Sequence, residues 1–193
     1  MDILIKKMTP GMAEDYARFH DATPYMDNGK EVNCYCVTWR SDDTYTGDND
    51  HWYATQEERR ARAVQFVKDD KLQGYLAYCG DRVVGWCNAT ANCRGGVGYL
   101  RAYWPIADDN ANEKVKSIFC FLISPDMKRH GIATMFTERV CADAAEEGFD
   151  CVEAYADENP EVCYRGPLAM YEKCGFTKIA ERDGRVVVRK ALR

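Results

Sequence analysis

The stretch Ile123-Ser-Pro-Asp-Met-Lys-Arg-His-Gly-Ile-Ala-Thr134 decides the fold, because a strand and a helix meet in it. The residues from Val115 to Ile123 form a nearly continuous apolar run, which is typical of a strand buried on both faces of a sheet. The residues that follow alternate apolar and charged positions with the period of a helix, which ends at Gly148. Phe149 to Tyr155 then reads as a strand, so the order strand, helix, strand predicts a right-handed parallel crossover.

The turn between that strand and helix suits a pyrophosphate. The amides in the first turn of a helix lack partners, and the helix dipole adds about half a positive charge there. Gly131 and Ala133 are small enough to let an anion approach the main chain, while Lys128, Arg129 and His130 add local cationic charge. We therefore predict that a polyanion binds at this turn.

Two motifs carry a resemblance to a known family. Lys128-Arg-His-Gly131-Ile-Ala133 matches the spacing of the diagnostic motif of the GNAT superfamily, which reads Gln or Arg, two variable residues, Gly, one variable residue, then Gly or Ala. Lys128 departs from that motif but keeps a cationic donor. Downstream, Ala169-Met-Tyr171-Glu-Lys-Cys-Gly175-Phe176 resembles the family's Tyr-Glu-Lys-x-Gly-Phe helix end. The resemblance extends from about Val115 to the C-terminus.

The resemblance implies an α/β fold of the α+β type, in which a central mixed sheet with splayed parallel strands is flanked by helices. We expect residues 1–193 to form a single domain of this kind. In this fold the strand ending at Ile123 splays from the strand that contains Glu153, and the pantetheine arm of acetyl-CoA lies in the gap. An amide near Phe121 or Ile123 would polarise the thioester carbonyl.

The resemblance also implies the site residues. Tyr171 would act as general acid, because a phenol with a pKa of about 10 can protonate a departing thiolate whose pKa is about 8.5. Glu153 is the candidate base, and a surface glutamate at a strand end is the alternative interpretation. Asn159 is the natural choice for the family's asparagine, although the insertion Glu161 to Pro167 lengthens its spacing to Tyr171. The expected cofactor-binding residues are Phe121, Leu122, Ile123, Lys128, Arg129, His130, Gly131, Ile132, Ala133, Thr134 and Asn159.

The first half of the chain is less informative. A strand is predicted from Ile3 to Met8, followed by a helix that opens at Pro10. Val32 to Trp39 is strand-like, and a second helix should run from Thr55 to about Asp69 with a capping box. A hairpin from Gly74 to Ala89 and a long exposed connection over Cys93 to Asn112 complete the expectation. Asp42 to Tyr53, which is acidic and aromatic, reads equally well as an acceptor pocket for a cationic amine or as a solvated loop.

Composition excludes several classes of protein. The formal net charge of −5 disfavours a nucleic-acid or acidic-membrane partner. No segment has the roughly 18 apolar residues of a membrane span, and the N-terminus does not resemble a secretory signal. We therefore expect a soluble cytoplasmic protein whose ten cysteines stay reduced. A metal site is not expected, because the chain has no Cys-x-x-Cys pair and its three histidines are scattered.

The sequence thus predicts an acetyl-CoA-dependent N-acetyltransferase that acts on a primary amine of a small molecule or peptide. The alternative is a non-catalytic acyl-CoA sensor or partner-binding module that retains the cofactor pocket. Whether the chain forms a homodimer is open.

Overall fold

The computed structural model describes residues 2–27, 30–37, 55–91, 113–157 and 163–193. Within these ranges the helices are α1 (Ala13–Ala22), α2 (Gln56–Lys68), α3 (Ile132–Glu146) and α4 (Leu168–Lys173). The strands are β1 (Leu4–Lys7), β2 (Tyr25–Asp27), β3 (Lys30–Val32), β4 (Gly74–Cys79), β5 (Arg82–Ala91), β6 (Val115–Ile123), β7 (Cys151–Asp157), β8 (Thr177–Arg182) and β9 (Arg185–Ala191). Short 3-10 turns cover Pro10–Met12, Pro125–Met127 and Cys163–Arg165.

Seven of the described strands form one mixed sheet in the order β1-β4-β5-β6-β7-β9-β8. The pair β6 and β7 is parallel, and the other neighbouring pairs in this sheet are antiparallel. The crossover between β6 and β7 runs through α3, as the sequence predicts. β6 is the fourth strand of seven, which confirms the prediction of a central buried strand.

Hydrophobic clusters lie on both faces of the sheet. One cluster packs α3 and α4 against the sheet and includes Phe121, Phe136 and Tyr171. The other packs α1 and α2 against the opposite face and includes Tyr16, Trp86 and Phe119. β6 contributes to both clusters, because successive side chains of a strand point to opposite faces. The sheet is therefore covered by helices on both sides, as expected for the predicted fold.

The capping box predicted at Thr55 is confirmed. The Thr55 Oγ1 accepts from the Glu58 amide at 3.1 Å, and the Glu58 Oε2 accepts from the Thr55 amide at 3.0 Å. This reciprocal pair satisfies two amides that a helix start would otherwise leave without partners. The predicted hairpin also forms, and β4 and β5 pair across the turn at Gly80 and Asp81.

The strand predicted over Val32 to Trp39 is wrong where the structure describes it. β3 ends at Val32, and Tyr35 and Cys36 adopt left-handed backbone angles with φ of 50° and 48°. The side chain of Tyr16 donates to the Tyr35 carbonyl at 2.5 Å, and Trp86 Nε1 donates to Cys36 Sγ at 3.3 Å. Tertiary contacts therefore impose a turn on residues whose local preference is extended.

No described helix combines the length and the apolar character that crossing a membrane requires.

Candidate active site

The predicted phosphate turn is an exposed turn that leads into α3. Gly131 caps the helix with a left-handed backbone at φ 77°, and Met135 makes the first intrahelical bond to the Gly131 carbonyl at 3.0 Å. The amides of Ile132, Ala133 and Thr134 therefore precede the first residue that donates within the helix. A Cβ built on Gly131 would meet no atom within 4 Å. The space beside Gly131, at the start of the helix, is therefore open.

Two cationic side chains and an imidazole lie next to this opening. Lys128, Arg129 and His130 are consecutive and exposed, and Arg129 adopts a left-handed φ of 64°. His130 Nδ1 lies 3.0 Å from the Lys128 carbonyl, which holds the imidazole close to the turn. The structure thus brings together the helix amides and the cations that the sequence predicts at this place. This combination is a suitable environment for a diphosphate.

The strands β6 and β7 separate before they reach that turn. Their parallel pairing runs only from Val115 opposite Cys151 to Ile118 opposite Ala154, although β6 continues to Ile123. On its other edge β6 stays paired with β5, up to Gly85 opposite Ile123. The pairing on that edge shifts register between Asn88 and Ala89, which is a bulge-type irregularity in the ladder. Beyond Ile118, the edge of β6 toward β7 has no β7 partner, which is the splay implied by the family resemblance.

The free edge of β6 contains Phe121, Leu122 and Ile123, the residues predicted to hold the pantetheine arm. Phe121 is buried, and Leu122 and Ile123 are half-buried. The Phe121 ring stacks on Phe136 of α3 with centroids 6.2 Å apart, which fixes the strand against the helix. The ladder between β6 and β7 has already ended at this part of β6, so the main-chain groups on this edge do not pair with β7.

Tyr171 lies at the same gap. It is fully buried on α4, its ring centroid is 6.4 Å from that of Phe121, and Phe176 packs edge-on at 5.2 Å. Its hydroxyl donates to the Arg165 carbonyl at 2.8 Å. Burial raises the pKa of the Tyr171 phenol well above its usual range, and the nearby Cys87 adds to the rise. The phenol therefore carries its proton at neutral pH.

Glu153 is not an exposed glutamate at a strand end. Its side chain is almost fully buried, and its Oε2 accepts from Arg189 Nη2 at 2.6 Å while its Oε1 accepts from the Tyr155 hydroxyl at 2.6 Å. Arg189 is bound in turn to Glu113 at 2.8 Å. The carboxylate thus binds two donors, one of which lies on β9, an arrangement that favours a role in positioning β7 against β9.

Glu153 also belongs to a polar row that crosses four strands. The strand register places Thr90 opposite Ser117, Ser117 opposite Glu153, and Glu153 opposite Arg189. The first three side chains are buried. The row lies one residue before Ile118 and Ala154, the last paired residues of β6 and β7. It therefore lies at the end of the gap where the two strands are still paired.

Asn159 and the segment Asp42 to Tyr53, like the connection from Cys93 to Asn112, fall outside the described residues. Their predicted roles in cofactor and acceptor binding therefore stay predictions. Among the described residues, no group of three or more His, Cys, Asp or Glu side chains is placed to hold a metal ion.

Sequence reasoning missed the partners of Glu153. Tyr155 follows two residues later on the same strand and so shares its face, which a period of two could have indicated. Arg189 could not be found in this way, because its position opposite Glu153 depends on the register between β7 and β9. The 3-10 turn at Cys163–Arg165, whose carbonyl binds Tyr171, was visible only as an insertion of unknown shape.

The family model described as the acetyltransferase (GNAT) family matches residues 33–176, about three quarters of the chain. The chain belongs to the GNAT acetyltransferase family. A search of curated proteins gives no match to the sequence of this GNAT protein.

Solved structures of the same fold extend over nearly the whole GNAT chain. An acetyltransferase of the GNAT family from Streptococcus pneumoniae is similar over 98% of this chain and 99% of its own, at 15% identity and a TM-score of 0.57. A mosquito protein named arylalkylamine N-acetyltransferase like 5b covers 98% and 100%, at 12% identity and a TM-score of 0.60. A variant of the spermidine N-acetyltransferase from Vibrio cholerae covers 98% and 94%, at 10% identity and a TM-score of 0.56. At these identities the likeness establishes the fold alone.

Proposed function

We propose that this chain transfers an acetyl group from acetyl-CoA to a primary amine. The observation that carries the proposal is that β6 and β7 separate after Ile118 and Ala154, at the end of the sheet where α3 begins at the open Gly131. One gap therefore joins a free strand edge to a cationic helix start. The two features suit the arm and the diphosphate of one extended ligand.

In this proposal the phosphates bind at the turn. The amides of Ile132, Ala133 and Thr134 donate to phosphate oxygens, and Lys128 and Arg129 neutralise their charge. The chain has a net charge of −5, so this local cluster provides the attraction that the whole molecule does not. The free main-chain groups at Phe121 to Ile123 would hold the arm and donate to the oxygen that becomes negative during transfer.

Acetyl-CoA supplies an acyl group activated as a thioester, with a thiolate as leaving group. Tyr171 is the proposed general acid, because it keeps its proton at neutral pH and lies beside Phe121 at the gap. Burial that raises the pKa of the phenol also makes it a weaker acid than a free tyrosine, so the proton has to move together with cleavage of the C–S bond and not before it. That property suits a donor that protonates the thiolate only as it departs.

The amine must lose a proton before or during attack. An alkylamine with a pKa of about 10.4 pays roughly 4 to 5 kcal/mol for this at pH 7. Glu153 was predicted as the base, but its side chain is almost fully buried and both of its carboxylate oxygens are already bound, one to Arg189 and one to Tyr155. We therefore propose that any contribution of Glu153 to deprotonation is relayed through water, and that its main role is to position β7.

The proposed acceptor is a small polyamine-like molecule, an aminoglycoside-like compound or a peptide amine. The names of two solved structures of this fold support testing amines first, since one is a spermidine N-acetyltransferase and another is arylalkylamine N-acetyltransferase-like. Apart from Cys163, the cysteines in the part of the chain that the structure describes are free thiols, which supports the proposed cytoplasmic location.

The test is acetyl transfer to a panel of these amines, measured as acetylated product by mass spectrometry. The wild-type chain is expected to turn over at least one of them, and Tyr171→Phe is expected to lose about a hundredfold or more in kcat while it still binds CoA. A chain that binds acetyl-CoA but never acetylates above the blank would instead be the non-catalytic acyl-CoA sensor.

A further inference from the structure

The residues Cys163 to Gly166 form a short turn, named here the 163–166 turn, between β7 and α4. Its 3-10 part lies against both β6 and β7, the two strands that separate. Gly166 packs so closely that an added Cβ would lie 3.1 Å from the Phe121 ring, 3.1 Å from Met170 Cε and 3.2 Å from the Tyr171 ring. The turn therefore sits in the diverging part of the gap, on the residue predicted to hold the pantetheine arm.

The same turn also binds the hydroxyl of Tyr171. The bond from the Tyr171 hydroxyl to the Arg165 carbonyl is 2.8 Å long, and the tyrosine is fully buried. A hydroxyl has one proton to donate, so a phenol that donates to this carbonyl is not donating to a sulfur atom. The turn and the leaving thiolate thus compete for one proton donor.

We propose that the 163–166 turn is a strap which occupies the thioester end of the gap, withholds the Tyr171 hydroxyl, and is displaced when acyl-CoA binds. This inference rests on the proposed function, because it takes the gap between β6 and β7 as the place of the pantetheine arm. Arg165 contributes its main-chain carbonyl, which accepts the hydrogen bond from the Tyr171 hydroxyl. It is therefore a positioning residue for Tyr171.

The C-terminal end of the strap fits a local movement. Gly166 has a φ of 82°, a region that favours glycine, and Pro167 follows with φ −72° and ψ 144° as the cap of α4. Beyond Pro167, α4 is anchored in the core, because Tyr171, Cys174 and Phe176 are all buried in the hydrophobic cluster on that face of the sheet. A rotation at Gly166 can therefore move residues 163–165 while Tyr171 keeps its place.

A strap of this kind reduces the apparent affinity for CoA, since only the fraction of molecules with the strap displaced can bind. Weakening the strap should tighten binding. A general acid in a preformed pocket would behave in the opposite way, because removing its hydroxyl can only leave affinity unchanged or reduce it. The sign of the change in affinity distinguishes the two arrangements.

The experiment measures the Kd of acetyl-CoA by calorimetry for the wild type, Tyr171→Phe and Gly166→Ala. Tyr171→Phe removes the bond that holds the strap, so we expect the Kd to fall about fivefold while kcat also falls. Gly166→Ala crowds Phe121 and Tyr171 in the position occupied by the strap, and we expect a similar decrease in Kd. Gly184→Ala is the matched control, because Gly184 has a φ of 73° and no atom within 4 Å of an added Cβ. Its Kd should equal that of the wild type.

Stopped-flow mixing gives a second readout. The observed rate of acetyl-CoA binding should reach a plateau set by strap opening, and Tyr171→Phe should raise that plateau. If Gly166→Ala does not fold, Tyr171→Phe decides alone. An unchanged or higher Kd for Tyr171→Phe would overturn the strap and leave the proposed function standing, provided the wild type turns over amines. A wild type that does not bind acetyl-CoA would overturn both.

Discussion

Two regions of this molecule hold charged side chains in opposite ways. In the turn over residues 128–134, Lys128, Arg129 and His130 are exposed next to Gly131, and a Cβ added to Gly131 would meet no atom within 4 Å. In the polar row, Glu153 is buried and bound to two donors. The charged side chains of the first region face solvent and can bind a ligand. Those of the second region already bind each other inside the protein. Charges in the turn should therefore govern ligand affinity, and charges in the row should govern stability.

The largest effect is expected from Gly131→Glu. A carboxylate in front of the α3 amides would take the place of the phosphates and repel them, so we expect the Kd of CoA to rise by about a thousandfold or more, or about 4 kcal/mol. Stability should change little, because a negative charge at a helix start offsets the strain of a left-handed residue.

Gly184→Glu serves as the control for that change. It adds the same charge at a glycine of similar φ in the turn between β8 and β9, where no atom crowds an added Cβ. Its CoA affinity should match that of the wild type. Equal loss of affinity in both variants would mean that strain or net charge, and not position, was responsible.

The polar row is tested by Arg189→Met. This change leaves Glu153 buried without its ion-pair partner, and removal of one member of a buried pair typically costs 3 to 5 kcal/mol. Because the Arg189 side chain is 19% exposed, we expect a loss near the lower end, about 3 kcal/mol in the free energy of unfolding from urea titration. CoA affinity of the folded protein should stay unchanged.

The exposed pair of Lys178 and Glu181 provides the comparison for that result. Glu181→Gln removes an ion pair in which both side chains are more than 40% exposed, and such pairs contribute at most about 1 kcal/mol. If Arg189→Met were as mild as Glu181→Gln, the row would not be a stabilising element.

A third test concerns the buried His20. Burial lowers its pKa from 6.5 to about 3, and its Nε2 has no hydrogen-bond partner among the residues that the structure describes. Because the folded-state pKa lies below the unfolded value, its contribution to stability is present above pH 6.5 and is lost as the pH falls toward 3. The free energy of unfolding should therefore drop by about 2 kcal/mol between pH 7.5 and pH 5 through this residue.

His20→Phe should remove that part of the pH dependence of stability, because a phenyl ring does not titrate. The ring suits this position, because the imidazole packs against the aromatic rings of Tyr16 and Phe19. His130→Gln, which changes an exposed imidazole in the turn, should keep it. Urea titrations at the two pH values measure both variants. A wild type with equal stability at the two values would contradict the assignment.

The smallest effect is expected from Lys128→Gln. Loss of one exposed phosphate contact should weaken CoA binding about fivefold, or about 1 kcal/mol, and the salt dependence of binding should decrease with it. Lys178→Gln, on β8, is the control with unchanged affinity. A Lys128 variant with wild-type affinity would remove this residue from the proposed phosphate site.

The comparison also shows what the sequence can predict. The turn was predictable because its features are local: the end of a buried strand, two cationic residues, a histidine and a glycine within twelve residues. The surroundings of Glu153 were not, since they depend on the register of β9 against β7. The same holds for Tyr35 and Cys36, whose left-handed backbone is imposed by contacts with Tyr16 and Trp86. Interactions between distant segments were thus the part that sequence patterns could not supply.

The separation of β6 and β7 could be predicted from sequence patterns only in part. Apolar patterning predicted both strands, but the end of their pairing at Ile118 and Ala154 was implied by family resemblance alone. The 163–166 turn lay in an insertion without any recognisable pattern. Its bond to Tyr171 links a motif residue to a segment that motif matching cannot describe.

The central claim is that the amides opening α3 bind the diphosphate of CoA. A crystal structure of the chain with acetyl-CoA tests it most directly. The account predicts diphosphate oxygens within hydrogen-bonding distance of the amides of Ile132, Ala133 and Thr134, in front of Gly131. A diphosphate bound elsewhere, with these amides facing only solvent or side chains, would contradict it.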